Sequence, residues 1–338
     1  NSALNHRGPD GSGTYFENNV SLGHVRLSIL DLSEKGHQPM GLSLKTIGQP
    51  RLIYKDEQLH DADLIIVYNG EIYNYIELKQ QLDKYNFESD CDTEVILKSY
   101  LEWGENCVSK FNGIWSFVIY DKTRKVFFCS KDRFGEKPFY YYFNELTGKF
   151  IFSSELKAIL RHDDLKINSK TALNHDAIQF YFAMGYIPAP LTIFQNVYKL
   201  EGSQNLIFNL TTKKIEKTYY YYELPAMTPL KNKNALVEEG KKLLDDAVKI
   251  RMRSDVPVGA YLSGGLDSSS VVITMRKYTE LAKLHTFSVG FEGSYDETHY
   301  IKLIADQYNT NHHHHYFYEK DLADLLDPFS FVYDEPFG

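Results

Sequence analysis

The spacing of hydrophobic residues changes along the chain and predicts two kinds of structure. From residue 14 to about residue 152, short apolar runs are separated by Gly, Asn and Asp, which is typical of β-strands joined by turns. Residues 76–82 and 94–102 instead place apolar side chains at helical spacing. Because helices of this kind cover a sheet, the pattern predicts a layered α+β domain. The clearest strand predictions are Leu64–Val67, Trp115–Tyr120, Val126–Cys129 and Phe139–Phe143.

A different order of elements begins near residue 235. A helical pattern at Ala235–Arg251 precedes an apolar run at Val258–Leu262, and a second helical pattern follows that run. Leu284–Val289 is a further strand prediction, and Glu297–Tyr308 is a further helix prediction. Alternating strands and helices predict a parallel α/β sheet, which binds ligands beyond the carboxyl ends of its strands.

A polar connector separates these two patterns. Tyr219–Tyr222 ends the β-rich part, and two prolines and a stretch of Lys and Asn follow it. We therefore divide the chain into a first domain at residues 1–215, a connector at residues 216–234 and a second domain at residues 235–338.

The segment Ser263-Gly264-Gly265-Leu266-Asp267-Ser268-Ser269 joins a predicted strand to a predicted helix. Paired glycines let a ligand approach the backbone, and Ser268 and Ser269 could cap a helix whose N-terminus attracts phosphate. The segment lacks the lysine of a Walker loop and the spacing of a dinucleotide fingerprint. Because Asp267 would repel a phosphate unless a cation lay between them, we assign Asp267 to nucleotide-bound magnesium. The alternative is an ordinary Gly-Gly turn before a serine-capped helix.

Composition narrows the function classes. The 338 residues allow two domains of ordinary size, and 43% hydrophobic and 24% charged residues exclude a disordered chain. A net charge of -8 argues against a nucleic-acid partner, and no apolar run is long enough to span a membrane. Three cysteines cannot all pair internally, so we infer a reducing, cytoplasmic location.

Three segments of the first domain carry the polar groups that glutamine needs. Its α-carboxylate asks for an arginine, its ammonium for an acid, and its carboxamide for amide or backbone partners. Arg26, Asp92 and Asn69-Gly70-Glu71 supply this set. Taken alone, Arg26 could be a surface residue of an alternating strand, Asp92 an N-cap, and Asn69-Gly70 a type I′ turn.

The same motifs resemble a known family. Asp255–Ser270 is similar to the pyrophosphate loop of the ATP-pyrophosphatase domain in glutamine-hydrolysing asparagine synthetases. His6–Asp10, Arg26–Asp31 and Asn69–Asn74 resemble segments of the amidotransferase half of these enzymes. The resemblance implies an α+β N-terminal nucleophile hydrolase-like layered domain, followed by part of an α/β parallel-sheet ATP-pyrophosphatase domain.

The resemblance also implies roles for individual residues. Asn69 and Gly70 would form the oxyanion hole, while Arg26 and Asp92 would hold the carboxylate and amine of glutamine. ATP and magnesium would be the cofactors, with Asp267 as the metal ligand. The implied glutamine-binding residues are Arg26, Leu27, Ser28, Ile29, Leu30, Asn69, Gly70, Glu71 and Asp92. The implied ATP-binding residues are Leu262, Ser263, Gly264, Gly265, Asp267, Ser268, Ser269 and Val289.

One part of the family's chemistry has no counterpart in the chain. The family uses a first-position cysteine, whose thiol attacks and whose own α-amine is the base. The first residue here is Asn1, and Cys91, Cys107 and Cys129 are internal. We expect the chain to be a segment of a longer protein, cut at both ends, with the cysteine and a first strand lying upstream of His6.

The reaction implied by the resemblance is ATP-dependent amidation of aspartate to asparagine, with ammonia from glutamine hydrolysis. It proceeds through an acyl-adenylate and releases AMP and pyrophosphate. Partners would be the small molecules glutamine, aspartate and ATP, with a homodimer left open. Two alternatives are a relative that amidates another carboxylate, such as a sugar acid in surface-polysaccharide assembly, and a non-catalytic module that binds glutamine or ATP.

Three further segments receive no catalytic role. Asp132–Pro138 and Ser153–Lys157 resemble family segments near the passage for ammonia between the domains, and alone they would be a turn and a capped helix start. His312–His315 cannot all face one metal ion from a regular element. We therefore expect these histidines to form an exposed turn that enters a strand.

Overall fold

A computed structural model describes the protein at residues 1–45, 48–165, 172–226, 232–280, 284–291, 297–318, 328–329 and 331–337. The chain forms two compact units. The first comprises Asn1–Leu224 together with Tyr333–Gly338, and the second comprises Pro225–Val332. Among the described residues, none of the helices has the length and apolar character needed to cross a membrane.

The first unit contains four α-helices and twelve β-strands within its described residues. The helices are α1 (Tyr75–Gln81), α2 (Asp92–Trp103), α3 (Leu156–Leu160) and α4 (His175–Met184). The strands are β1 (Gly11–Glu17), β2 (Val20–Arg26), β3 (Met40–Ser43), β4 (Arg51–Ile53), β5 (Leu64–Ile72), β6 (Gly113–Asp121), β7 (Val126–Lys131), β8 (Tyr140–Asn144), β9 (Lys149–Ser153), β10 (Val197–Lys199), β11 (Gln204–Asn209) and β12 (Lys214–Tyr220).

These elements form four layers. The central layer is a seven-stranded antiparallel sheet in the order β12-β11-β7-β6-β5-β3-β4. Apolar residues of α1 and α2, such as Leu78 and Val95, pack on one face of this sheet. The other face packs against the β1-β2 pair and the β10-β8-β9 sheet, through residues such as Leu22 and Phe139. Helix α3 covers the outside of β8 and β10. This arrangement of helix, sheet, sheet and helix confirms the predicted layered α+β fold.

The second unit is a parallel α/β structure. Its elements are α5 (Lys233–Arg251), β13 (Gly259–Tyr261), α6 (Leu266–Met275), β14 (His285–Phe291), α7 (Thr298–Gln307) and β15 (Asn311–Phe317). The strands run parallel in the order β13-β14-β15. A core that includes Leu262, Val272, Met275 and Ile301 packs the helices on the sheet. The predicted parallel α/β fold is confirmed.

The prediction of a turn at His312–His315 is wrong, whereas the predicted exposure is confirmed for His313, His314 and His315. All four histidines lie within β15, where they pair in register with Thr286, Phe287, Ser288 and Val289 of β14. The turn comes earlier, at Asn309, whose φ of 49° is in the left-handed region that Asn tolerates. Pairing along β14 then keeps residues 311–317 extended.

Candidate active site

A cavity of about 930 Å³ opens within the first unit. Four segments supply most of its walls: strand β2 with the loop that follows it, the end of β5, the start of α2, and strand β9. The three segments predicted to bind glutamine, around Arg26, Asn69 and Asp92, therefore line one cavity although they are far apart in the chain. Of the residues predicted to bind glutamine, those that line the cavity are Arg26, Leu27, Ile29, Leu30, Asn69, Gly70, Glu71 and Asp92.

Arg26 is held in place by backbone carbonyls. It is the last residue of β2, and its Nη1 donates to the Ser33 carbonyl at 2.9 Å while its Nη2 donates to the Asp31 carbonyl at 2.5 Å. A Cβ at Gly36 would lie 2.0 Å from Nη2, so only glycine leaves room for this guanidinium. A guanidinium has five N–H groups, so the Arg26 guanidinium retains donors for a bound carboxylate after these two hydrogen bonds.

Two acidic side chains line the cavity: Asp92, which is buried, and Glu71, which is half-buried. Asp92 accepts hydrogen bonds from the Tyr68 hydroxyl and the Ile72 N–H, each at 2.8 Å. Burial raises the pKa of Asp92, and burial together with the Asp92 charge raises the pKa of Glu71 to about 9. A bound cation between these carboxyls would relieve the cost of ionising both.

Asp92 is not an N-cap, so that alternative is wrong. Helix α2 begins at Asp92 and its N-cap position is Cys91, which makes no capping hydrogen bond through its side chain. The carboxylate of Asp92 turns instead towards β5, because the Tyr68 hydroxyl and the Ile72 N–H offer it two donors there.

Asn69 and Gly70 lie inside a strand, which excludes the alternative of a type I′ turn. They belong to β5 and pair with Ser116 and Trp115 of β6. A Cβ at Gly70 would meet the Ile114 carbonyl oxygen at 2.1 Å, so the close approach of β6 requires glycine. The Asn69 amide donates to the Ser154 hydroxyl at 3.5 Å. An amide donor and a backbone segment of β5 thus border the cavity side by side.

The loop after β2 places its residues differently. Leu27, Ile29 and Leu30 line the cavity, whereas Ser28 is not among the lining residues. The backbone N–H of Ser28 donates to Asp10 Oδ2 at 2.7 Å, which ties this loop to the chain before β1.

The glycine-rich loop of the second unit joins β13 to α6. Gly264 has a φ of 80°, and a Cβ there would lie 2.9 Å from Cβ of Tyr300. The Ser263 hydroxyl lies 2.9 Å from the Ser268 hydroxyl, and the Ser263 N–H donates to that hydroxyl at 3.1 Å. Strand, loop and helix follow one another as predicted, with the start of α6 facing the loop.

The predicted capping by Ser268 and Ser269 is wrong. Helix α6 begins at Leu266, and its N-cap is Gly265, which has no side chain to cap with. Ser268 instead accepts from the loop, and Ser269 is buried in the helix with no hydrogen-bond partner for its hydroxyl among the described residues. The N–H groups of the first turn are therefore left for a ligand.

A second cleft, of about 310 Å³, lies beside this loop. Leu262, Ser263 and Val289 line it together with Phe287 and Phe291. Asp267 is exposed in the first turn of α6. Within the described part of the chain, no three His, Cys, Asp or Glu side chains are grouped so that they could hold a metal ion.

Sequence comparison now adds to this geometry. Residues 1–221 match the family model of the glutamine amidotransferase domain, and residues 239–338 match that of asparagine synthase. The chain belongs to the glutamine amidotransferase family. The second match adds the asparagine synthase family, which confirms the predicted likeness to glutamine-hydrolysing asparagine synthetases.

Three curated relatives show how far the likeness extends. A putative asparagine synthetase (glutamine-hydrolyzing) 2 of Methanocaldococcus jannaschii is 58% identical over all of this chain and 65% of its own length. Asparagine synthetase 3 of Bacillus subtilis is 33% identical over 98% of this chain and 53% of its own length. Asparagine synthetase 1 of the same bacterium is 36% identical over 86% of this chain and 42% of its own length. The chain thus spans 42% to 65% of the length of these relatives.

Proposed function

We propose that the first unit forms the glutamine-binding part of a glutamine-hydrolysing site, and that the second unit binds Mg-ATP to activate aspartate for amidation to asparagine. The observation that carries the proposal is the single cavity that gathers the Arg26 guanidinium, the buried carboxyl of Asp92 with the half-buried carboxyl of Glu71, and an amide donor. These are the three partners that glutamine requires. The names of the relatives support the same reaction.

Glutamine would lie with its α-carboxylate on the free donors of Arg26. Its ammonium would lie against Asp92 and Glu71, where a positive charge allows both carboxyls to ionise. Its carboxamide would face Asn69 and Gly70, whose amide and backbone N–H groups would donate to the oxyanion that develops during hydrolysis.

The nucleophile would come from a strand that fits the cavity. Among the strands of the described residues, β2 pairs with β1 alone and β9 pairs with β8 alone, so each is an edge strand, apart from an isolated bridge between Arg26 of β2 and Pro9. Consecutive residues of both strands line the cavity, which means that the two edges face it. A strand inserted there could bring an N-terminal cysteine to Asn69, supplying a thiol and an α-amine at one residue.

The cysteines of the described chain do not fit this role. Cys91, Cys107 and Cys129 are buried, and burial raises the pKa of each thiol. A thiol with a raised pKa is a poor source of thiolate. Three buried, unpaired cysteines also support the cytoplasmic location that we propose.

In the second unit, the start of α6 and the hydroxyls of Ser263 and Ser268 would hold the pyrophosphate part of ATP. Asp267 would hold magnesium, which supplies charge neutralisation for the departing phosphates. Leu262 and Val289 would contact the nucleoside. We propose an acyl-adenylate of aspartate as the intermediate that ammonia attacks.

Calorimetric titration with glutamine tests the first part of the proposal. Arg26→Lys should weaken glutamine binding at least tenfold, because Lys cannot reproduce the guanidinium fork. Arg51→Lys is the matched control, since Arg51 is exposed at the start of β4 and outside the cavity. Equal affinity of wild type and Arg26→Lys, or no glutamine binding by the wild type, would contradict the assignment.

A further inference from the structure

Lys137 is among the cavity residues to which the proposed function gives no role. Lys137 lies in the loop between β7 and β8, is half-buried and lines the cavity with Glu71 and Arg7. Its ammonium has no carboxylate within ion-pair distance among the described residues, whereas Arg7 donates to Glu155 at 2.9 Å. Glutamine, with its single carboxylate assigned to Arg26, makes no use of this second cationic site.

The backbone fixes where this lysine stands. Asp132, which is buried, accepts from the N–H groups of Glu136 and Lys137, each at 2.9 Å, and from the Trp115 N–H at 3.3 Å. Trp115 is the cross-strand partner of Gly70. A single carboxylate therefore links the backbone of Lys137 to the residue beside Gly70, at the carboxamide end of the proposed glutamine site.

Arg7 is also connected to the carboxamide end of the proposed glutamine site, through different residues. It pairs with Glu155, and the preceding residue, Ser154, accepts from the Asn69 amide. The backbone of Lys137 is thus connected to the strand partner of Gly70, and the side chain of Arg7 is connected to the residue next to the Ser154 that contacts Asn69. Burial lowers the pKa of Lys137, with the Arg7 charge acting in the same direction and Glu71 opposing it. An added anion would offset the repulsion between the cations.

Hydrolysis of glutamine with water yields ammonia and glutamate, whose side chain now ends in a carboxylate. We propose that Lys137, together with Arg7, forms an anion subsite that binds the γ-carboxylate of glutamate and so sets the affinity for product relative to substrate. This inference rests on the proposed function, because it takes the position of the carboxamide from Asn69 and Gly70. The neutral carboxamide of glutamine gains much less from the same cations.

The experiment compares the dissociation constants of glutamine and glutamate by calorimetry at one salt concentration. Lys137→Met should weaken glutamate binding about tenfold while changing glutamine binding less than twofold. Lys137→Arg, which keeps the charge, should retain most of the affinity for glutamate. Lys149→Met is the matched control, because Lys149 also lines the cavity but lies far from the proposed carboxamide position. It is four residues along β9 from Ser153, about 13 Å away, and Ser153 precedes the Ser154 that contacts Asn69.

Three results would overturn the subsite. In the first, Lys137→Met weakens the binding of glutamine and glutamate equally. In the second, it changes the affinity for neither ligand. In the third, Lys149→Met changes the ratio of the two dissociation constants as much as Lys137→Met does. Near-ultraviolet circular dichroism verifies that each variant is folded, and retained glutamine binding by Lys137→Met verifies it again. If wild type binds no glutamine at all, the proposed function itself fails, which is a different outcome from an unchanged ratio.

Discussion

The ion pair between Glu94 and Lys98 is wholly buried, and breaking it should destabilise the first unit strongly. Both side chains have 0% exposure, and the Lys98 ammonium lies 2.5 Å from Glu94 Oε1. Glu94 also accepts from the Ser89 N–H at 2.8 Å and the Ser89 hydroxyl at 2.6 Å. The pair therefore holds helix α2 to the loop that leads into Asp92.

Lys98→Met leaves the Glu94 carboxylate buried without its cation. Loss of one partner from a buried pair costs about 3–5 kcal/mol. Because Ser89 still donates two hydrogen bonds to the carboxylate, we expect the lower end, about 3 kcal/mol. The double variant Glu94→Gln with Lys98→Met removes the uncompensated charge, so it should be more stable than Lys98→Met alone.

Urea unfolding followed by tryptophan fluorescence measures this effect in the first unit alone. The chain has two tryptophans, Trp103 and Trp115, and both lie in that unit. With an m-value of about 2–3 kcal/mol/M, a loss of about 3 kcal/mol lowers the midpoint by about 1–1.5 M urea.

The matched control is Asp90→Asn, in the same loop. Asp90 is 95% exposed and lies 3.8 Å from Lys79, so its replacement should change stability by no more than about 0.5 kcal/mol. The reasoning is refuted if Lys98→Met costs less than 1 kcal/mol, or if the double variant is no more stable than the single one.

Four further predictions concern the two proposed sites. The raised pKa of Glu71 means that the folded unit binds a proton which the unfolded chain releases near pH 4.5, so stability should fall as the pH rises towards about 9. Glutamine binding should release that proton at neutral pH, seen as a buffer-dependent heat that disappears in Glu71→Gln; the same heat in the variant would contradict the acid-pair assignment. Asp267→Asn should weaken Mg-ATP binding about fivefold or more but leave magnesium-free ATP binding unchanged, and equal losses in both titrations would reject the metal assignment. Gly264→Ala should lower the melting temperature measured by calorimetry, because φ is 80° and Cβ would press on Tyr300; an unchanged melting temperature would contradict this.

The sequence predicted elements better than it predicted their ends. The helix expected at residues 94–102 is α2 at Asp92–Trp103, and the strand expected at Leu64–Val67 is β5 at Leu64–Ile72. The strand prediction stopped early because Asn69 and Gly70 resemble a turn in isolation. Their extended conformation is set by pairing with β6, which the local sequence does not encode.

The candidate site could be predicted only where side chains carry the chemistry. Arg26 and Asp92 stand out as charged groups in regular elements, and the resemblance to a family indicated that both bind glutamine. Lys137 did not stand out, because its position depends on backbone N–H groups gathered by Asp132. A side-chain pattern contains no sign of such a contact. The strand at His312–His315 was missed for a similar reason, since it depends on the register with β14.

The two strand edges that face the cavity also affect how this chain behaves at high concentration. Edges with unpaired N–H and C=O groups are templates for pairing with another extended segment. In this unit the edges of β2 and β9 face one space, so an incoming segment could pair on both sides at once. We therefore expect self-association of the chain to begin between these two strand edges. A short peptide with alternating apolar residues that binds between them should keep the chain monomeric.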